Sequence, residues 1–153
     1  DKRSPEYAIP LTYSEDLFHV PPNVHLLGLM NTADRSLALV DYALRRRFKF
    51  FSLQPEFGQS FTDFLASEGV DSATINKLVQ KIGDLNKAIG KSRDLGDGFR
   101  VGHSYFCSTD GYSSGEWDQW LRDIFDTEIL PLLQEYWVDD SKELQKHTDK
   151  LLG

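Results

Sequence analysis

The chain has 153 residues, 40% of them apolar, 12% aromatic and 27% charged, a composition that suits one ordinary globular domain or two very small ones. Ten Phe, six Tyr and three Trp supply a core and exclude wholesale disorder, while a single cysteine excludes an intrachain disulfide and a cysteine-rich zinc site. The net charge of −7 is unevenly spread: residues 35–49 carry a local +4 (Arg35, Arg45, Arg46, Arg47 and Lys49 against Asp41), leaving −11 on the remainder, a poor balance for direct nucleic-acid binding.

Residues 1–23 read as polar and irregular, with short extended pieces at Tyr7–Leu11 and Leu17–Val20. The first ten residues are charged and contain no apolar signal-peptide segment, and no run approaches the ~18–20 apolar residues of a membrane span. A cytoplasmic protein is expected, and the missing initial Met suggests an excised fragment. Pro21-Pro22-Asn23 stops the chain before Val24–Met30, an apolar run that predicts a strand buried on both faces of a parallel sheet. Asn31–Asp34 then forms a polar loop, followed by a helix from Arg35 with Thr32 or Asp34 as its N-cap. Phe48, Phe50 and Leu53 predict a second strand, completing a βαβ unit.

After Pro55 the pattern turns helical. One short helix carries Phe57, Phe61, Phe64 and Leu65 and ends near Gly69. A longer helix, capped at Asp71-Ser72, carries a stripe of Ile75, Leu78, Val79, Ile82, Leu85 and Ile89. A Gly-rich loop over 90–104 leads to an extended piece at Tyr105–Cys107, with Cys107 expected as a small buried hydrophobe. A strongly amphipathic helix starts at Trp117 and runs on to Trp137, kinked or restarted by Pro131, and Ser141 caps a last helix. Its Trp and Phe stripe reads as core, because its companions are acidic.

Chemistry can sit in three places. Ligands of open parallel sheets bind at the carboxyl ends of strands, where Asn31 can orient a water or a phosphate oxygen and Asp34 can hold a cation; equally, both can simply shape a turn and cap a helix. Arg45-Arg46-Arg47 close the predicted helix, where its C-terminal carbonyls favour cations, but three consecutive residues fan out over about 200° and cannot easily share one partner. Arg's planar fork also suits phosphate, including a neighbour's transferring γ-phosphoryl group. His103 and Ser104 can contact a nucleotide or form a satisfied loop pair. Gly96, Gly98 and Gly102 miss the dinucleotide-binding spacing, and His19 and His25 fit no metal-ligand spacing.

The run from Gly28 through Met30-Asn31-Thr32-Ala33-Asp34-Arg35 to Arg45-Arg46-Arg47-Phe48 resembles the signature of the McrB family of AAA+ proteins. These are the GTP-dependent motor subunits of 5-methylcytosine-dependent restriction systems. Asp1-Lys2-Arg3 and Gly102-His103-Ser104-Tyr105-Phe106 resemble the family more loosely, and the likeness spans most of residues 1–137. It implies α/β plus all-α architecture: the last strands of a P-loop NTPase sheet over 1–54, then a helical lid subdomain over 55–153. Asn31 would be the sensor facing the γ-phosphate and lytic water, with Asp34 the second fixed residue of its element. Arg46 and Arg47 would be arginine fingers reaching the neighbouring subunit's nucleotide. His103 and Ser104 would lie in the lid segment over the nucleotide, where many AAA+ proteins place Arg.

No Gly-x-x-x-x-Gly-Lys-Ser/Thr loop and no strand ending in Asp-Glu occurs in the chain. The resemblance therefore implies GTP or ATP with Mg in a longer parent protein, no tightly bound cofactor or metal on this piece, and no activity of its own. It further implies a ring, expected to be a hexamer, a McrC-like nuclease partner, and DNA contacted mainly through parts absent here. The alternatives are an AAA+ ATPase with another task and a non-catalytic docking scaffold.

Overall fold

The computed structural model describes residues 3–31 and 42–153, which fall into two units, Asp1–Asn31 and Thr32–Gly153. The expected loop at Thr32–Asp34 and most of the helix after it lie outside the described residues.

In the first unit the two predicted extended pieces pair. Strand β1 (Ile9–Pro10) runs antiparallel to β2 (Leu17–Phe18), with Ile9 opposite Phe18 and Pro10 opposite Leu17. A single 3₁₀ turn, Pro5–Tyr7, precedes them, and the Arg3 guanidinium donates to the Val24 carbonyl. No described residue of this unit is buried.

Among the described residues the parallel sheet expected from the apolar runs is not formed. Val24–Met30 carries no strand, and Leu27 and Leu29 stand 91% and 88% exposed. The second predicted strand, around Phe48–Leu53, is also unpaired, with Phe51 and Leu53 at 85% and 91%. The reason is physical: a strand buried on both faces exists only where neighbours complete its hydrogen bonds and helices cover it. Among the described residues the one sheet is the short antiparallel pair.

The second unit is helical. After α1 (Tyr42–Arg45), the chain runs without regular structure to α2 (Gln59–Ser67). That helix ends as predicted at Gly69, whose φ of +89° only glycine adopts without strain. The amides of Gly69 and Val70 donate back to the carbonyls of Ala66 and Leu65, a Schellman closure. Helix α3 (Ser72–Lys91) is capped by Asp71, whose carboxylate accepts from the Ala73 and Thr74 amides at 2.9 and 3.0 Å and from the Thr74 hydroxyl at 2.7 Å. These bonds, the Thr74 hydroxyl foremost, hold the Asp71 carboxyl below the usual carboxylate pKa. The predicted stripe is buried: Leu78, Ile82 and Ile89 have no exposed surface. Each such side chain contributes about 1.5–3 kcal/mol over an exposed one.

Helix α4 (Trp117–Ile124) passes through a π turn, Phe125–Ile129, into α5 (Leu130–Tyr136). The Leu130 amide donates to the Phe125 carbonyl, a five-residue register immediately before Pro131. The widened turn accommodates the ring and missing donor of that proline, so the predicted kink becomes a bulge and the apolar face continues unbroken. Trp120, Phe125, Ile129 and Leu133 are buried along it, the core role expected of this stripe. Helix α6 (Ser141–Leu152) is capped by the side chain of Asp140, one residue before the expected Ser141. It docks through His147, 4% exposed, stacked on Trp137 with ring centroids 4.6 Å apart. Lys81 of α3 donates to the Lys150 and Leu151 carbonyls at the end of α6, a favourable place for a cation. Among the described residues no helix is long and apolar enough to cross a membrane.

Burial, ahead of the neighbouring Lys146 charge, holds the His147 pKa below its ordinary value, with Glu143 opposing. The unfolded chain therefore binds this proton at higher pH than the folded one, so the stabilisation is complete above about pH 6.5 and declines as pH falls below it. Melting temperatures of the wild-type chain should drop between pH 7.5 and 5.5. In His147→Phe, which keeps a ring against Trp137, that step should be absent; an equal drop in the variant would contradict the assignment.

Candidate functional site

The expected site residues divide between the units. Asn31 closes the first unit and is exposed. Asp34 lies outside the described residues. Arg46 and Arg47 form the turn directly after α1, both exposed, with Arg45 in the last turn of the helix itself. The local sequence explains this position: cations are favoured beside the unpaired carbonyls of a helix C-terminus.

His103 and Ser104 open a 3₁₀ turn, His103–Phe106, where an extended piece at Tyr105–Cys107 was expected. The turn brings Phe106 wholly into the core, its ring 6.3 Å edge-to-face from Phe125. Cys107, expected to be buried, is instead exposed, because the turn that inserts Phe106 directs the next residue outward. Ser104 is exposed and His103 half-buried. The Glu56 amide donates to His103 Nδ1 at 3.1 Å, so that nitrogen is an acceptor and the ring carries its hydrogen on Nε2. The imidazole also meets Phe57 and Phe61 edge-on, at centroid distances of 6.3 and 6.2 Å.

The loop before this turn is fixed from α3. The buried Asn86 side chain donates to the Val101 carbonyl at 2.9 Å and accepts from the Val101 amide at 2.7 Å, matching both polar groups of one peptide. Sequence reading missed both Asn86 and the Glu56–His103 bond. For Asn86 a signal existed: a lone amide beside Leu85 at the edge of an apolar stripe must find partners if buried. For His103 there was none, since its partner is a backbone amide 47 residues away.

A second anchor closes the same loop. Arg100 pairs with Asp97 at 2.7 Å, close against α3 at Gly90, where a Cβ would meet Arg100 Nη2 and Asp97 Oδ1 at 2.9 Å. One cavity, of about 750 Å³, lies between the end of α3, the α5–α6 connection and α6; Lys87, Lys91, Trp137, Glu143 and His147 line it, and none of the described site candidates does. Among the described residues no three or more His, Cys, Asp or Glu side chains are arranged to hold a metal ion.

The second unit is thus a helical bundle built on one long central helix, with a Gly-rich loop fastened to it. Residues 77–145 match the family model described as McrB, alpha-helical lid domain. The whole chain, in an alignment of 160 residues, is 51% identical to the Type IV methyl-directed restriction enzyme EcoKMcrB subunit of Escherichia coli (strain K12). The chain is McrB-like, and the lid match falls within its helical unit. It spans about a third (34%) of the length of that relative.

Replacing Asn86 with Ala would leave the amide and carbonyl of Val101 buried and unpaired. The cost should be roughly 1–3 kcal/mol, read as a lowered denaturation midpoint of the chain. No loss of stability would show that the loop is held by other contacts.

Proposed function

We propose that this chain is part of the nucleotide-hydrolysing motor of a McrB-like restriction system. The observation that carries this reading is the 51% identity to a restriction-enzyme subunit along the whole chain. The Met30-Asn31-Thr32-Ala33-Asp34 element and the matched lid support it. On this reading residues 1–54 close the α/β subdomain and residues 55–153 form the lid.

Asn31 would bond the γ-phosphate or the attacking water through its amide, which changes no charge during the reaction. Asp34 would hold that element in place. Arg46 and Arg47 would reach a neighbouring subunit's γ-phosphate and stabilise the charge that develops on it, in a ring of six. Ser104 and His103 would lie near the nucleotide on the lid side. The cofactor is GTP, or ATP in the reading with a non-restriction task, and comparing the two turnovers separates them. The sequence holds no Gly-x-x-x-x-Gly-Lys-Ser/Thr loop and no strand ending in Asp-Glu, so on this reading the phosphate cradle and the magnesium-binding acid belong to the remainder of the parent protein. A McrC-like nuclease is the proposed partner, with DNA held mainly outside this chain.

In the full-length protein, Arg46→Ala and Arg47→Ala should each lower nucleotide turnover by about 10³–10⁵-fold while leaving nucleotide binding intact. Normal turnover in both variants would overturn the finger assignment. The 153-residue chain alone should hydrolyse neither GTP nor ATP.

A further inference from the structure

We propose that His103 is a positioning residue, pinning residues 55–58 through Nδ1 so that the start of the lid and its Gly-rich loop move as one body. The bond joins positions 47 residues apart, and both of its ends are themselves fixed. On the lid side, Asn86 clamps Val101 two residues before His103, and Phe106 is sunk in the core three residues after it. On the other side, the Glu56 carboxylate accepts from the Gly58 amide at 2.7 Å, immediately before α2. Gly58 has no side chain with which to cap that helix, so Glu56 takes up an amide at its start. The Phe57 ring fills the space between, 5.1 Å from Phe61 and 6.2 Å from Phe106. A continuous chain of contacts therefore runs from α3 through Asn86, Val101, His103, Glu56 and Gly58 into α2.

This arrangement uses the Nδ1 edge of the imidazole, and a nucleotide contact would have to use Nε2. The two edges can be separated, because an Asn amide oxygen mimics Nδ1 and a Gln amide mimics Nε2. The effect on turnover rests on the proposed nucleotide-hydrolysing role, whereas the effect on the Glu56 amide does not.

The first measurement is hydrogen exchange at the Glu56 amide in the 153-residue chain, followed by NMR. His103→Ala and His103→Gln should speed exchange by about tenfold, while His103→Asn should stay within about threefold of wild type. Unchanged exchange in His103→Ala would overturn the proposal. The second measurement is GTP and ATP turnover by the full-length protein. His103→Ala should lower kcat with KM little changed, and His103→Asn should restore it where His103→Gln does not. Rescue by Gln and not by Asn would overturn the proposal and put Nε2 on the nucleotide. If full-length wild type turned over neither nucleotide, the proposed function would fail while the Glu56 exchange still decided the role of His103.

Discussion

The second unit depends on one constraint: the apolar face of α3 must be covered along its whole length. Twenty residues of helix reach about 30 Å, and the stripe from Ile75 to Ile89 is too long for any single partner. Helices α2, α4 and α6 and the 3₁₀ turn at Asp97–Phe99 each pack against it. The π turn at Phe125–Ile129 follows from the same demand, since a break at Pro131 would rotate Ile129 and Leu133 away from the core. Polar groups on α3 serve the same geometry. Asn86 fastens the glycine-rich loop, Lys81 receives the end of α6, and Asp71 sets where the helix begins.

Asn31, Arg46 and Arg47, proposed to act on nucleotide, are exposed. Arg46 and Arg47 directly follow α1, and Asn31 ends a unit in which no described residue is buried. Side chains that must meet a phosphate gain nothing from burial within their own subunit. The lid contributes through position: the Glu56 amide before α2 is held by a histidine that also belongs to an aromatic cluster.

Local periodicity made the helical unit legible in the sequence. The α3 stripe, the Asp71 cap, the stop at Gly69 and the buried Trp and Phe face of α4 and α5 follow from spacing and side-chain chemistry alone. What failed was of two kinds. The strand expected at Val24–Met30 depends on partners that no described residue provides, so an apolar run that reads as a strand has no ladder to join. The turn at His103–Phe106 and the bonds of Asn86 and His103 depend on contacts between distant positions, to which periodicity is blind. The candidate residues were named through family resemblance; among them Arg46, Arg47 and Ser104 are exposed and His103 half-buried.

The central claim is that the helical unit carries its own core, whereas on the proposed function Val24–Met30 and Phe48–Leu53 gain strand structure only from the remainder of a larger NTPase subdomain. Amide hydrogen exchange compared between the 153-residue chain and the full-length protein tests it most directly. Residues of α3, α4 and α5 should exchange slowly in both, and the two apolar runs should exchange rapidly in the chain and slowly in the full-length protein. Rapid exchange of those runs in the full-length protein, or loss of α3 protection in the chain alone, would contradict it.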